Sequence, residues 1–103
     1  QNKYNQAINK YLEALKYDNN EHKILMNLSL AYLKCKDLDN ALEFAKKSIT
    51  SKPSLSKPYA RTAMVLFEMG QLLQAIATIN NAIVLQPKNK EYKRLHSEWT
   101  SLL

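Results

Sequence analysis

Apolar side chains recur along this chain at intervals of three and four residues, in stretches separated by short polar breaks. That spacing puts them on one face of a helix. Six helices are predicted. The first spans about Tyr4 to Tyr17, with Ala7, Tyr11 and Ala14 along one stripe, and Asp18-Asn19-Asn20 breaks it because short polar side chains compete for the helical backbone. The second spans about Glu21 to Cys35 and carries Ile24, Leu25, Leu28 and Tyr32 inward. Asp37 is the expected N-cap of the third, about Leu38 to Thr50, whose inner stripe is Leu38, Ala41, Leu42, Ala45, Ser48 and Ile49. The fourth spans about Leu55 to Met69. Pro58 is in its first turn, where a missing N–H does limited harm, although it biases Lys57 away from helical dihedrals. Gly70, the only glycine, stands where a helix ends in a left-handed residue. The fifth spans about Leu72 to Leu85, with Ala75, Ile76, Ile79, Ala82 and Ile83 inward, and Gln86-Pro87 stops it. The sixth spans about Lys90 to Leu102, with Tyr92, Leu95, Trp99 and Leu102 on one side.

A longer period overlies the helical one. Ala7, Ala41 and Ala75 are 34 residues apart (41−7, 75−41), and Pro53 and Pro87 keep the same interval (87−53). That is the interval of a helix–turn–helix solenoid, in which each unit buries its apolar face only by stacking on its neighbours. With the small residue placed at position 20, one repeat starts at His22: Leu25 at 4, Leu28 at 7, Ser29 at 8, Tyr32 at 11, Ala41 at 20, Ala45 at 24, Pro53 at 32. The next starts at Ser56 and places Tyr59, Thr62, Ala63, Leu66, Ala75, Ile79, Ala82 and Pro87 at positions 4, 7, 8, 11, 20, 24, 27 and 32. Small residues at 8 and 20 let the paired helices approach, and bulky ones at 4, 7, 11 and 24 fill the gap between repeats.

This arrangement resembles the tetratricopeptide repeat, from which it departs in having Ala45 rather than an aromatic at position 24 and no glycine at position 8. The resemblance implies an all-α, right-handed superhelical solenoid of antiparallel helix pairs. Its expected organisation is a single domain over residues 1–103: residues 1–21 are the second helix of repeat one, 22–55 repeat two, 56–89 repeat three and 90–103 a capping helix. A coiled coil is the alternative, but Pro53, Gly70 and Pro87 interrupt it. In this frame the first helix of repeat one lies upstream of Gln1. The inner face of the first predicted helix is therefore exposed, covered by residues outside this sequence, or a surface for self-association.

In the same family the first helix of each repeat lines a concave groove. Repeat two presents Lys23, Met26, Asn27, Leu30, Leu33 and Lys34, and repeat three presents Lys57, Ala60, Arg61, Met64, Phe67 and Glu68. Lys57 and Arg61, at i and i+4, share a face. An anion between them relieves their repulsion, and Asn27 adds an amide donor from the preceding repeat. A terminal carboxylate offers about four lone-pair sites to such a trio. Asn27, Lys57 and Arg61 resemble three of the five residues of the dicarboxylate clamp in co-chaperone tetratricopeptide domains, which holds the C-terminal EEVD tails of heat-shock proteins 90 and 70. The other two belong to the absent first helix of repeat one. Lys23, Leu30 and Met64 are secondary groove candidates: Lys23 for an acidic side chain upstream of the tail, Met64 for an apolar one.

The formal charge of +6 favours acidic partners. Part of it has a local explanation, since Lys16, Lys34, Lys36, Lys46 and Lys47 fall in or just after the last turns of predicted helices, while Glu21, Asp39 and Glu91 fall near starts, each sign complementing the helix dipole. Cys35 is the only cysteine, so no internal disulfide forms, and a structural role in a reducing, cytoplasmic or nuclear compartment is expected. His22 and His96 share no metal-ligand spacing with Cys35 or each other, and one glycine leaves no phosphate-cradling loop, so neither metal nor cofactor is expected. Trp99 with Tyr92 reads as capping of the core rather than a base-stacking pair. No run of apolar residues is long enough for a membrane span. The leading expectation is a non-catalytic co-chaperone adaptor for a chaperone tail or other acidic peptide. A generic scaffold for another peptide or helix and an RNA-binding helical repeat are the alternatives. Similar domains are often fused to prolyl isomerases or phosphatases, where catalysis would reside outside this chain.

Overall fold

The structure is a computed structural model describing residues 2–18 and 21–103. Its helices are α1 (Asn2–Leu15), α2 (His22–Lys34), α3 (Leu38–Ser51), α4 (Ser56–Glu68), α5 (Leu72–Leu85) and α6 (Lys90–Thr100). Each packs on the next, most extensively within the pairs α2–α3 and α4–α5, and α2 also meets α4 directly. This is the connectivity of an α-solenoid: hairpins stacked side by side, with the first helix of one against the first helix of the next.

Cap chemistry sets most of the boundaries. Asp37 accepts from the Asn40 backbone N–H at 3.3 Å, and Asn89 does the same for Tyr92 at 3.0 Å. Asn19 and Asn20 of the predicted break before α2 lie outside the described residues; Glu21 caps that helix, accepting from Lys23 N at 3.2 Å. α1 ends at Leu15, two residues before the expected Tyr17, because Lys16 and Tyr17 donate to carbonyls three residues back and Tyr17 is left in water. Lys57 is helical despite Pro58. The proline ring is fully buried and Ser56 Oγ lies 3.1 Å from the Tyr92 hydroxyl, so tertiary packing overrides the local bias. α3 has no basic residue in its last turn: Lys46 and Lys47 lie earlier, and Lys47 instead pairs with Glu43 at 3.2 Å and sits over the Phe44 ring.

α2 and α4 end alike. Lys36 donates to Leu33 O and Asp37 to Tyr32 O; one repeat later Gly70 donates to Phe67 O and Gln71 to Leu66 O. This double bond pattern needs a left-handed residue, supplied by Gly70 at φ 80° and by Lys36 at φ 66°. Lysine there carries a steric cost that glycine does not. Lys36→Gly is therefore expected to raise stability by about 0.5–1 kcal/mol, and Gly70→Ala to lower it by about 1 kcal/mol, in urea unfolding followed by circular dichroism. Space is not the issue at Gly70, where an added Cβ meets nothing.

The core forms two clusters. One joins Ile8, Leu25, Leu28, Ala31 and Phe44 across α1–α3; the other joins Ala63, Leu66, Ala75, Ile79, Ala82, Tyr92 and Trp99 across α4–α6. The small residues act as the spacing requires: Ser29, Ala41, Ala63 and Ala75 are all fully buried at the crossings within each hairpin. Where a glycine was absent, Ser29 Oγ donates to Ala41 O at 2.7 Å, so its hydroxyl is satisfied at the closest approach. Cys35 is half-buried against the first cluster. Phe44, not assigned to the inner stripe of its helix, stacks on Tyr32 at 5.6 Å between centroids, beside the small Ala45. Leu102 departs from expectation: α6 stops at Thr100, where the Thr100 and Ser101 hydroxyls compete for backbone carbonyls, and Leu102 is exposed.

On α1, Tyr4 and Leu12 are each 37 % exposed.

Candidate functional site

The start of α2, the start of α4 and the end of α5 converge on a cavity of about 570 Å³. Lys23 and Asn27, one turn apart on α2, form one wall; Lys57, in the first turn of α4, forms the other, with Ser54, Leu55 and Ser56 beside it. Leu85 and Gln86 close the end. Two helix N-termini open here: at α2 the Glu21 carboxylate already accepts from Lys23 N, while the start of α4 keeps the partial positive charge of its leading N–H groups. No side chain caps the start of α4, whose leading N–H groups are those of Ser56 and Lys57, Pro58 having none. Lys23, Asn27 and Lys57 are all exposed and free to meet a ligand.

Arg61 is placed differently. One turn beyond Lys57, it is half-buried between α4 and α2 and does not line this cavity. Its Nη1 donates to the Met26 carbonyl at 2.6 Å. Burial pushes its pKa down from the usual guanidinium value, and no carboxylate faces it among the described residues. The bond ties α4 to the residue immediately before Asn27. Of the predicted trio, the structure thus brings Asn27 and Lys57 to one cavity, adds Lys23, and sets Arg61 as a strut behind them.

A second cavity of about 410 Å³ lies further along the same two helices, lined by Leu33 on α2, Met64, Phe67 and Glu68 on α4, and Leu95, Glu98 and Trp99 on α6. Met64 is exposed on its wall as expected, whereas Leu30 is half-buried and lines neither cavity. Trp99 stacks on Phe67 at 4.9 Å between centroids, with the rings 10° from parallel, so the indole is part of the core and its base-stacking face is covered. Glu98 and Glu91 both pair with Arg94, whose hydrogen bonds hold the Glu91 carboxyl below the ordinary range. The contributions of Leu85, Gln86, Leu95 and Glu98 were missed by the repeat register, which assigns the groove only to first helices; only the position of α5 and α6 against α4 reveals them, whereas His22, also missed, lies at the start of α2 itself.

A profile of the tetratricopeptide repeat matches residues 22–55. Solved tetratricopeptide domains superpose on nearly the whole chain. The second such domain of human RPAP3, in complex with HSP70 peptide SGPTIEEVD, is 26% identical with a TM-score of 0.88, covering 96% of this chain and 82% of that one. The chain belongs to the tetratricopeptide repeat family. The first tetratricopeptide domain of Spaghetti (RPAP3), bound to HSP90 peptide SRMEEVD, shares the fold at TM-score 0.91 and 22% identity, over 99% of this chain and 81% of that one. Among curated proteins, this tetratricopeptide chain is 32% identical over 90 residues to Hsp70-Hsp90 organizing protein 3 of Arabidopsis thaliana and 30% identical over 88 residues to the STIP1 homolog of Dictyostelium discoideum. The matches cover 87% and 85% of this chain but 16% of each relative, so it corresponds to a small part of proteins of that kind.

Proposed function

We propose that this tetratricopeptide domain is an adaptor that grips the acidic C-terminal tail of heat-shock protein 90 or 70, with the terminal carboxylate in the cavity between α2 and α4. The observation that carries this reading is the convergence of Lys23, Asn27 and Lys57, from two successive repeats, on one cavity at two helix starts. Lys57 and the Asn27 amide donate to the carboxylate, and charge-assisted bonds of this type contribute about 1.5–3 kcal/mol each. Arg61, held by Met26, keeps the two walls at a fixed separation and has further N–H donors for a second acidic group. Similarity to domains solved with EEVD-ended peptides supports the same reading. The module needs no cofactor and acts by binding rather than catalysis, in the cytosol where such chaperones are met. Glu68 and Glu98 on the wall of the second cavity disfavour a nucleic-acid backbone along this groove.

Asn27→Ala, Lys57→Ala and Arg61→Ala are each expected to weaken an EEVD-ended peptide by about tenfold or more, about 1.4 kcal/mol, in calorimetric titration. Unchanged affinity in the Lys57→Ala protein contradicts the assignment.

A further inference from the structure

The groove has two ends of opposite sign. At the starts of α2 and α4 its cavity is lined by Lys23, Asn27 and Lys57; at the ends of the same helices the second cavity is lined by apolar Leu33, Met64 and Phe67 and by the carboxylates of Glu68 and Glu98. Glu68 is exposed at the last residue of α4, where a carboxylate faces the negative end of the helix dipole. It has no ion pair among the described residues. The residue 34 positions earlier (68−34), at the end of α2, is Lys34, the sign the dipole favours; it is exposed and lines neither cavity. Glu98 shares Arg94 with Glu91, so Glu68, Glu91, Glu98 and Arg94 together carry −2 (−3 + 1), in a chain of net charge +6. A locally unfavourable charge of this kind calls for a partner from outside.

Charge and lining together identify the occupant. A purely apolar side chain covers Leu33, Met64 and Phe67 but strips water from Glu68 without replacing its hydrogen bonds. An arginine or lysine side chain meets both demands: its alkyl stem lies along the apolar wall while its cationic head stays at the rim, against the carboxylate. Arginine fits better, because its planar fork binds a carboxylate bidentately and stacks on an aromatic face such as that of Phe67. The helix supplies the spacing. Lys57 and Glu68 are 11 residues apart on α4 (68−57), about 16 Å at 1.5 Å per residue. An extended peptide covers that distance in about five residues at about 3.3 Å each.

We propose that the second cavity is a subsite for a basic side chain of the bound tail, arginine in preference to lysine, about five residues before its C-terminal residue. This rests on the seat of the terminal carboxylate between the starts of α2 and α4. The groove then selects a dipolar tail, acidic at its end and basic upstream, and not negative charge alone. Glu68 is the specificity-determining residue, since Glu98 is already bonded by Arg94.

Calorimetric titration with the peptide SRMEEVD, whose arginine is five residues before the last, and with the same peptide carrying citrulline at that place, tests this. Citrulline keeps the shape of arginine and removes its charge. The citrulline peptide is expected to bind about two- to fivefold more weakly, and the difference to vanish in the Glu68→Gln protein. Glu68→Lys is expected to reverse the preference, toward a peptide with glutamate in place of the arginine. Both substitutions are exposed and suit the helix end better than glutamate, so the fold is kept, which circular dichroism checks. Equal affinities for the arginine and citrulline peptides overturn the subsite, as does an arginine preference of unchanged size in Glu68→Gln. The same titrations with amidated peptides separate the two readings. A loss on amidation without an arginine preference overturns the subsite alone; an arginine preference without a loss on amidation overturns the seat of the terminal carboxylate and upholds the subsite.

Discussion

Trp99→Ala is expected to destabilise the domain by about 3–5 kcal/mol, a large fraction of what a chain of this size has. The indole is 4 % exposed and stacked on Phe67, and it sits among Leu66, Ala63 and the α5 residues that form the second core cluster. Removing it leaves a cavity between α4 and α6 that small neighbours cannot fill. The only other large aromatic that α6 buries is Tyr92, whose hydroxyl is already engaged with Ser56. Thermal unfolding by circular dichroism measures the effect; a loss below 1 kcal/mol would mean that the sixth helix caps the solenoid only loosely.

Leu28→Ala is expected to cost about 2–5 kcal/mol through the other cluster. Leu28 is fully buried at the meeting of α1, α2 and α3. Because the two buried clusters share no residue, with Leu42 of α3 packed against the second, and repeats couple mainly to neighbours, this variant should unfold in two steps. Helicity of α1–α3 is lost first, while Trp99, the only tryptophan, stays in the α4–α6 cluster and keeps its native fluorescence until higher denaturant. The measurement is a pair of urea curves, one by circular dichroism and one by tryptophan emission. Coincident curves would show that the hairpins are more strongly coupled than their packing suggests.

Much of this fold was legible because the signals that set it are local. Asp37 caps α3 by bonding a backbone N–H three residues on, and Gly70 adopts the left-handed geometry that the end of α4 needs; both follow from residue type and neighbours alone. The Ala41 and Ala75 crossings follow from the repeat interval. What was not legible depends on distant partners. Lys57 enters a helix against its local bias because Pro58 is buried and Ser56 meets Tyr92, 36 residues away. Lys36 takes a left-handed conformation that its type disfavours, imposed by the hydrogen bonds that end α2. For the site, the register put Asn27 on α2 and Lys57 and Arg61 on α4, one turn apart. It could not give the rotamer of Arg61, whose guanidinium finds a carbonyl 35 residues earlier in the chain. Nor could it place Gln86 and Leu85 at the cavity mouth, since they come from a helix outside the groove-lining set.

The central claim is that the cavity between α2 and α4 recognises the terminal carboxylate itself, not acidity in general. Calorimetric titration with an EEVD-ended peptide, and with the same peptide amidated at its C-terminus, tests it most directly. Amidation replaces the terminal carboxylate by a neutral group while leaving the three acidic side chains in place. Affinity near micromolar is expected for the free peptide, with a loss of about tenfold or more on amidation. Equal affinity for the two peptides would contradict it.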